Sequence, residues 1–441
     1  MTTYWCPLAW LGGERAETDV LVEVEDGRIA AVAPGSPAPA HATRLDGLTL
    51  PGLANAHSHA FQRALRGRTH TGGSFWTWRE QMYRLADRLD PDAYLALARA
   101  TFAEMALAGV TTVGEFHYLH HGPGGGPYDD PNEMGRAVIA AAADAGIRIT
   151  LLDACYLHGG VGTPPDGAQR RFSDGSTEAW AERVDSLRDD ESVRVGAAIH
   201  SMRAVDPDAA AVVAGWARDR DRPLHAHVSE QATENEACLD AYGRTPTALL
   251  AEAGALEANF TAVHATHLGD GDVSLLGGAG ACCCVCPTTE RDLADGIGRM
   301  ARLRQAGASL SLGTDSQAVI DLFEEARAVE LDERLASGER GHHESDALLQ
   351  ATTASGHACL GWPDTGRIAA GARADLVTVS LASPRLAGTD PGSALESVVF
   401  AAAAPDVQHV LVDGREIVTD GKHVTIDVSR ELHGAITGVL A

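Results

Sequence analysis

Between residues 51 and 365 the chain alternates short apolar runs with Ala-, Leu-, Arg- and Glu-rich segments of helical character, and it does so eight times. The runs are Gly52–Ala56, Val110–Phe116, Ile147–Asp153, Val193–Ile199, Pro223–Val228, Phe260–Val263, Ala281–Cys286 and Ala308–Gly313. Eight strands with intervening helices is the count of a (β/α)8 TIM barrel, an α/β fold. At 441 residues the chain is too long for one minimal core but fits such a barrel with a smaller domain attached.

The ends supply the smaller domain. Residues 1–50 contain Val20-Leu-Val-Glu-Val-Glu-Asp-Gly-Arg-Ile-Ala-Ala-Val, an alternating pattern broken by an Asp-Gly turn, which predicts a hairpin. The segments Ala374–Ser380 and His409–Val418 answer it, and neither end alone has strands enough to bury a face. We therefore expect a small β-sandwich domain from 1–50 and 366–441, with the barrel, 51–365, inserted between. The stretch Gly122–Pro131 is too rich in Gly and Pro for a helix or strand; as a loop after the second strand it is a candidate lid.

A net charge of −26 argues against nucleic acid or an anionic membrane as partner. No run of 18 or more apolar residues appears, so no spanning helix is predicted. Met1 to Gly13 has neither the basic region nor the apolar segment of a signal peptide, and the expected location is the cytoplasm. Four of the eight cysteines fall in Cys282-Cys-Cys-Val-Cys286. In a reducing compartment these read as buried apolar residues, since thiolate metal sites use separated Cys-x-x-Cys pairs.

Catalytic groups of a barrel come from the C-terminal ends of its strands. The first run delivers His57 and His59, which share a face because strand side chains alternate with period two. The second leads to Glu115, His117 and Tyr118, and the fourth to His200 and Arg203. The fifth gives His225, His227 and Glu230, the sixth His264 and His267, and the eighth Thr314-Asp315-Ser316. Singly, each has an ordinary alternative: a strand-end histidine satisfied by hydrogen bonds, or an Asp315 that caps the next helix. Jointly they predict a metal-dependent hydrolase.

His57, His59, His227 and Asp315 form an N/O ligand set for one divalent ion, which brings the pKa of bound water to about 7. Glu230, three residues past a ligand, is placed to shuttle a proton, and His264 to stabilise developing charge. A two-metal barrel of this kind needs a bridging carboxylated lysine. The only lysine, Lys422, lies outside the barrel, so one metal is expected. Arg79, in Ser74-Phe-Trp-Thr-Trp-Arg-Glu, and Arg203, in His200-Ser-Met-Arg, add a second theme. In so acidic a chain, a carboxylate substrate needs arginine forks close to the metal. Surface salt bridges are the alternative for both.

His57-x-His59, His227-x-x-Glu230, His264 and Thr314-Asp315 resemble, in order and spacing, the one-metal deaminase branch of the amidohydrolase superfamily, as does Gly366-Arg-Ile-Ala-Ala-Gly-Ala-Arg-Ala-Asp-Leu. Within it, His57-Ser-His-Ala-Phe-Gln-Arg, Ser74-Phe-Trp-Thr-Trp-Arg-Glu-x-Met-Tyr and Glu115-Phe-His-Tyr-x-His-His are similar to the formimidoylglutamate deiminase family of histidine degradation. So are Gln169-Arg-Arg-Phe, His200-Ser-x-Arg-Ala-Val and Val263-His-Ala-Thr-His. The resemblance implies hydrolysis of N-formimidoyl-L-glutamate to N-formyl-L-glutamate and ammonia. It implies zinc on His57, His59, His227 and Asp315, with Glu230, His264 and Asp315 as catalytic residues. Gln62, Arg79, Tyr118, His200 and Arg203 would hold the dicarboxylate substrate, and a homodimer is implied. The segment Pro287-Thr-Thr-Glu-Arg-Asp-Leu-Ala-Asp-Gly departs from the family pattern at Arg291 and Asp292, which points to an altered substrate preference. The competing readings are a one-metal deaminase of a purine, pyrimidine or pterin, indifferent to the arginines, and a non-catalytic barrel scaffold.

Overall fold

The computed structural model describes residues 1–70, 72–257 and 259–441. Eight parallel strands follow one another around a barrel: β1 (Leu53–Ser58), β2 (Val110–His117), β3 (Arg148–Cys155), β4 (Val193–Ile199), β5 (Pro223–Val228), β6 (Asn259–His264), β7 (Cys282–Val285) and β8 (Ser309–Leu312). Almost every residue in them is buried, as parallel strands covered on both faces require. The ends of β1 and β8 meet at their C-terminal side. The Thr314 and Asp315 N–H groups donate to the His57 carbonyl, and the His59 N–H donates to that of Asp315. Closure of the barrel therefore happens at the first histidine pair and Asp315.

The opposite end is plugged. The helix Ala354–Cys359 and the following Leu360 sit under the strands, where Thr150 donates to the Leu360 carbonyl at 2.7 Å and the His225 Nε2 meets that of Cys359 at 3.1 Å. His225 is thus a neutral residue one layer below His227, satisfied by backbone. Gly114 is required here, because a Cβ would lie 2.4 Å from Leu360 Cδ2 and 2.8 Å from the Ala56 carbonyl.

Both chain ends build one mixed sheet of nine strands, joined where Leu48–Pro51 runs antiparallel to Leu376–Val379. The Asp26-Gly27 and Asp413-Gly414 turns both hold positive φ at the two positions, the hairpin geometry that this dipeptide favours. Arg148, buried at the start of β3, ties barrel to sheet through Asp375 and through Asp413 at 2.9 Å. All eight cysteines are free and buried. Among the described residues no helix is long and apolar enough to cross a membrane.

The Gly122–Pro131 stretch does not act as anticipated. It forms a short turn at Pro123–Gly125 that packs against the Gly167–Phe172 segment, with Gly125 close to the Arg170 carbonyl. None of it lines the cavity described next, so in this conformation it does not cover that cavity.

Candidate active site

A cavity of about 290 Å³ opens at the C-terminal end of the barrel. At its floor three imidazoles and one carboxylate converge. The Nε2 atoms of His57 and His227 are 3.2 Å apart, and Asp315 Oδ1 lies 3.4 Å from the Nε2 of both His57 and His59. Backbone fixes two tautomers: His59 Nδ1 donates to the Phe116 carbonyl at 2.9 Å and His227 Nδ1 to that of His200 at 2.8 Å. Their Nε2 lone pairs therefore face inward. Burial pushes His57 and His227 below the usual imidazole range, and His59 down to about 3. Burial would raise Asp315, but the hydrogen bond and charge of His57 outweigh it and hold the carboxyl low. With the Nε2 lone pairs of His59 and His227 aimed beside the Asp315 carboxylate, and His57 Nδ1 buried without a partner, these residues fit a divalent ion.

Strand ends deliver this cluster at a conformational cost. Ser229, His264, Ala265, Asp315 and Gln317 all have φ between 44° and 67°, a left-handed conformation that L-residues adopt rarely and that gathers at functional sites. Asp315 does not cap the following helix; Asp321 does, accepting from Phe323 and Glu324.

Above the floor lie the acid/base candidates. His264 Nε2 is 3.8 Å from both Glu230 Oε1 and Asp315 Oδ2. Burial raises the Glu230 carboxyl, with His264 and Arg203 pulling it back. The Nη2 of Arg203 is 3.6 Å from Glu230 Oε2. The wall holds the rest of the predicted set. Gln62 donates to Tyr118 Oη at 3.0 Å while its own Oε1 is buried without a partner. His200 lies edge-on to Tyr118 and Tyr156. Arg79, on the helix Phe75–Ala86, stacks 4.4 Å over Trp76 and has no carboxylate within 4 Å among the described residues. The surface-salt-bridge alternative therefore fails for Arg79, and Arg203 pairs inside the cavity.

Not every strand-end residue reaches the cavity. By the period-two alternation of β2, Phe116 packs on the histidine rings and Tyr118 lines the cavity, whereas Glu115 and His117 point away. Glu115 instead takes hydrogen bonds from Ser58 Oγ at 2.6 Å and the Ala60 N–H at 2.7 Å, bracing the turn that carries His59. Burial lifts its carboxyl to about 8. Arg291 also points away. It pairs on the surface with Asp332 at 2.8 Å and Glu324 at 3.1 Å, and Leu293 is the residue of its segment that lines the cavity. Asp292 meets His70 at 2.8 Å outside it.

Three features escaped the sequence reading. Glu290 accepts from the Cys286 N–H at 2.9 Å and lies 3.3 Å from His264 Nδ1, orienting that ring. The available signal was a carboxylate four residues past a strand end, behind Pro287. Glu234 accepts from the Glu230 N–H at 3.3 Å, its carboxyl lifted by burial to about 7. Tyr83, which closes the Ser74–Tyr83 motif but was given no role, and Tyr156, which no motif marks, both line the cavity.

An eight-stranded barrel with an N/O donor cluster and a buried carboxylate at its strand ends is an arrangement suited to metal-assisted hydrolysis. Residues 48–417 match the Amidohydrolase family. The chain is 37% identical to the formimidoylglutamate deiminase of Pseudomonas aeruginosa, over 98% of this chain and 97% of that one. It is 31% identical to a 5-methylthioadenosine/S-adenosylhomocysteine deaminase of Natronomonas pharaonis, over 93% and 90%. The crystal structure of an amidohydrolase from Brucella melitensis superposes with a TM-score of 0.91 at 32% identity, covering all of both chains. The chain belongs to the amidohydrolase family.

Proposed function

We propose that this protein hydrolyses N-formimidoyl-L-glutamate to N-formyl-L-glutamate and ammonia, as a cytoplasmic enzyme of histidine degradation acting as a homodimer. The observation that carries the reading is that one cavity holds both kinds of group: the donor cluster with Glu230 and His264, and two guanidiniums, Arg203 at 3.6 Å from Glu230 and Arg79 with no carboxylate partner among the described residues. A small substrate with an amidine at one end and carboxylates at the other matches both. The identity to the Pseudomonas deiminase supports the same substrate.

His57, His59, His227 and Asp315 would hold one zinc ion, which when bound supplies a Lewis acid and an acidified water. The remaining work falls to side chains. Gln62 Oε1, otherwise unpartnered, accepts an amidine N–H. Glu230 takes the two protons of the attacking water in successive transfers and gives both to the departing nitrogen, so that the C–N bond breaks, ammonia leaves and the carbon keeps the oxygen as the formyl carbonyl. Its burial raises the carboxyl above the usual range, which favours the protonated form that returns the proton. His264, oriented by Glu290, donates toward the oxygen on which charge develops. Arg79 and Arg203, with Tyr118 and His200, bind the glutamate portion.

Glu230→Gln tests the assignment. Ammonia release should fall by at least about 10²-fold, the range of general acid–base catalysis, with zinc content unchanged. Substantial residual turnover would remove Glu230 from proton transfer. A second reading, deamination of an aromatic ring, draws on the Natronomonas relative and on the aromatic side chains Phe75, Trp78, Tyr83, Tyr118 and Phe172 of the wall. It requires turnover that ignores Arg79.

A further inference from the structure

Gln169 sits behind the cavity wall, on the short segment Gly167–Phe172, and is nearly buried. Its Oε1 accepts from the Asp166 N–H at 3.1 Å, which identifies the other end of the amide as the NH₂. That NH₂ lies 2.9 Å from Tyr156 Oη, 3.0 Å from Tyr83 Oη and 3.2 Å from the Gly159 carbonyl. The chain is shaped around this amide: a Cβ on Gly159 would lie 2.6 Å from Gln169 Oε1.

Hydrogen counting makes the arrangement informative. An amide that donates to a phenol oxygen leaves the phenol's own hydrogen to be placed elsewhere. Neither hydroxyl donates to a carbonyl or carboxylate among the described residues. If one phenol gives its hydrogen to the other, one O–H remains over. Both rings line the cavity, and the Arg79 guanidinium lies 5.4 Å from the Tyr83 ring. A spare O–H donor beside a guanidinium is a site for an anionic oxygen.

We propose that Tyr156 and Tyr83, oriented by Gln169, donate a hydrogen bond to one carboxylate of the substrate and so act with the arginines in selecting a dicarboxylate. The two tyrosines are binding residues and Gln169 is a positioning residue. Burial drives the Tyr156 phenol upward, which keeps its proton in place at working pH. The proposal rests on the substrate reading above, and the experiment separates the two.

Zinc-loaded Tyr156→Phe and Gln169→Met proteins would be compared with wild type on three compounds. These are N-formimidoyl-L-glutamate, N-formimidoyl-L-norvaline (no γ-carboxylate) and N-formimidoyl-γ-aminobutyrate (no α-carboxylate). Because the hydrogen bond is made in ground and transition states alike, each variant should raise KM for the glutamate compound about ten-fold with kcat little changed. On the analogue lacking the carboxylate in question, the same variants should match wild type. Equal losses on all three compounds, or none on any, would overturn the proposal. Should Gln169→Met fail to fold, Tyr156→Phe alone decides. If wild type releases no ammonia from N-formimidoyl-L-glutamate, the substrate reading fails. Calorimetric binding of glutarate then takes over: about ten-fold weaker binding by Tyr156→Phe upholds the phenol site, and unchanged or undetectable binding overturns it.

Discussion

Removing Arg183 offers a sharp test of how the cavity wall is held. Its guanidinium donates to both oxygens of Asp153 and both of Asp174, each at 2.8 Å, and to Asn132 at 3.1 Å. Asp153 lies in the last half of β3, while Asp174 follows the segment that carries Phe172 to the wall, so one cation joins a strand to a wall loop. Burial alone would raise both carboxyls, but Arg183 and the neighbouring histidines keep them below the usual range. In Arg183→Met two carboxylates stay buried, with Trp180 at 3.1 Å, His121 at 3.0 Å and His120 at 3.8 Å as their remaining polar neighbours. Stripping the partner from a buried pair costs about 3–5 kcal/mol. Unfolding entropy of ~2.1 cal/mol/K per residue over 441 residues is about 0.9 kcal/mol/K, so Tm should drop by roughly 3–5 °C. The sign with pH is fixed. A depressed carboxyl stabilises above its unfolded pKa, near 3.9, and this is lost as pH falls through the lower folded value. In the variant the same carboxyls, with burial no longer offset by Arg183, protonate at higher pH than in wild type, so the gap is larger at pH 7 than in acid and narrows as pH falls. Differential scanning calorimetry reads both. A Tm change under about 1 °C at pH 7, or a gap that widens in acid, would refute the reasoning.

Arg79→Ala should lower kcat/KM on N-formimidoyl-L-glutamate by roughly 10- to 100-fold, the weight of a charge-assisted hydrogen bond, and Arg79→Lys should recover only part of it. Steady-state kinetics checks this, and unchanged constants remove Arg79 from the site. His225, held by burial at about 3, stabilises the fold above the unfolded imidazole value near 6.5 and loses that contribution as pH falls toward 3. Relative to His225→Asn, wild type should therefore lose about 2 kcal/mol between pH 7 and pH 5 in urea denaturation, and parallel profiles would contradict it.

The barrel was legible because its strands are buried on both faces and so read as uninterrupted apolar runs; each anticipated run overlaps an observed strand. His57, His59, His227 and Asp315 were legible for a related reason, since strand ends and period two place them without knowledge of the packing. What escaped depends on contacts distant in sequence. Tyr83, Tyr156 and Gln169 come from three separate segments, and the hydrogen-bond pattern that makes them interesting exists only once those segments meet. Arg291 misled because a residue type at a strand end does not fix a rotamer. Its pairing with Asp332, 41 residues on, turns it toward the surface. The Gly-rich loop misled because composition predicts irregular backbone but not which side of the wall it lies on.

The most direct test of the central claim is ammonia release by zinc-loaded protein, measured side by side on N-formimidoyl-L-glutamate, guanine and 5′-methylthioadenosine. The account predicts rapid release from the formimidoyl compound and background rates from both rings. Turnover of either ring with silence on the dicarboxylate would contradict it.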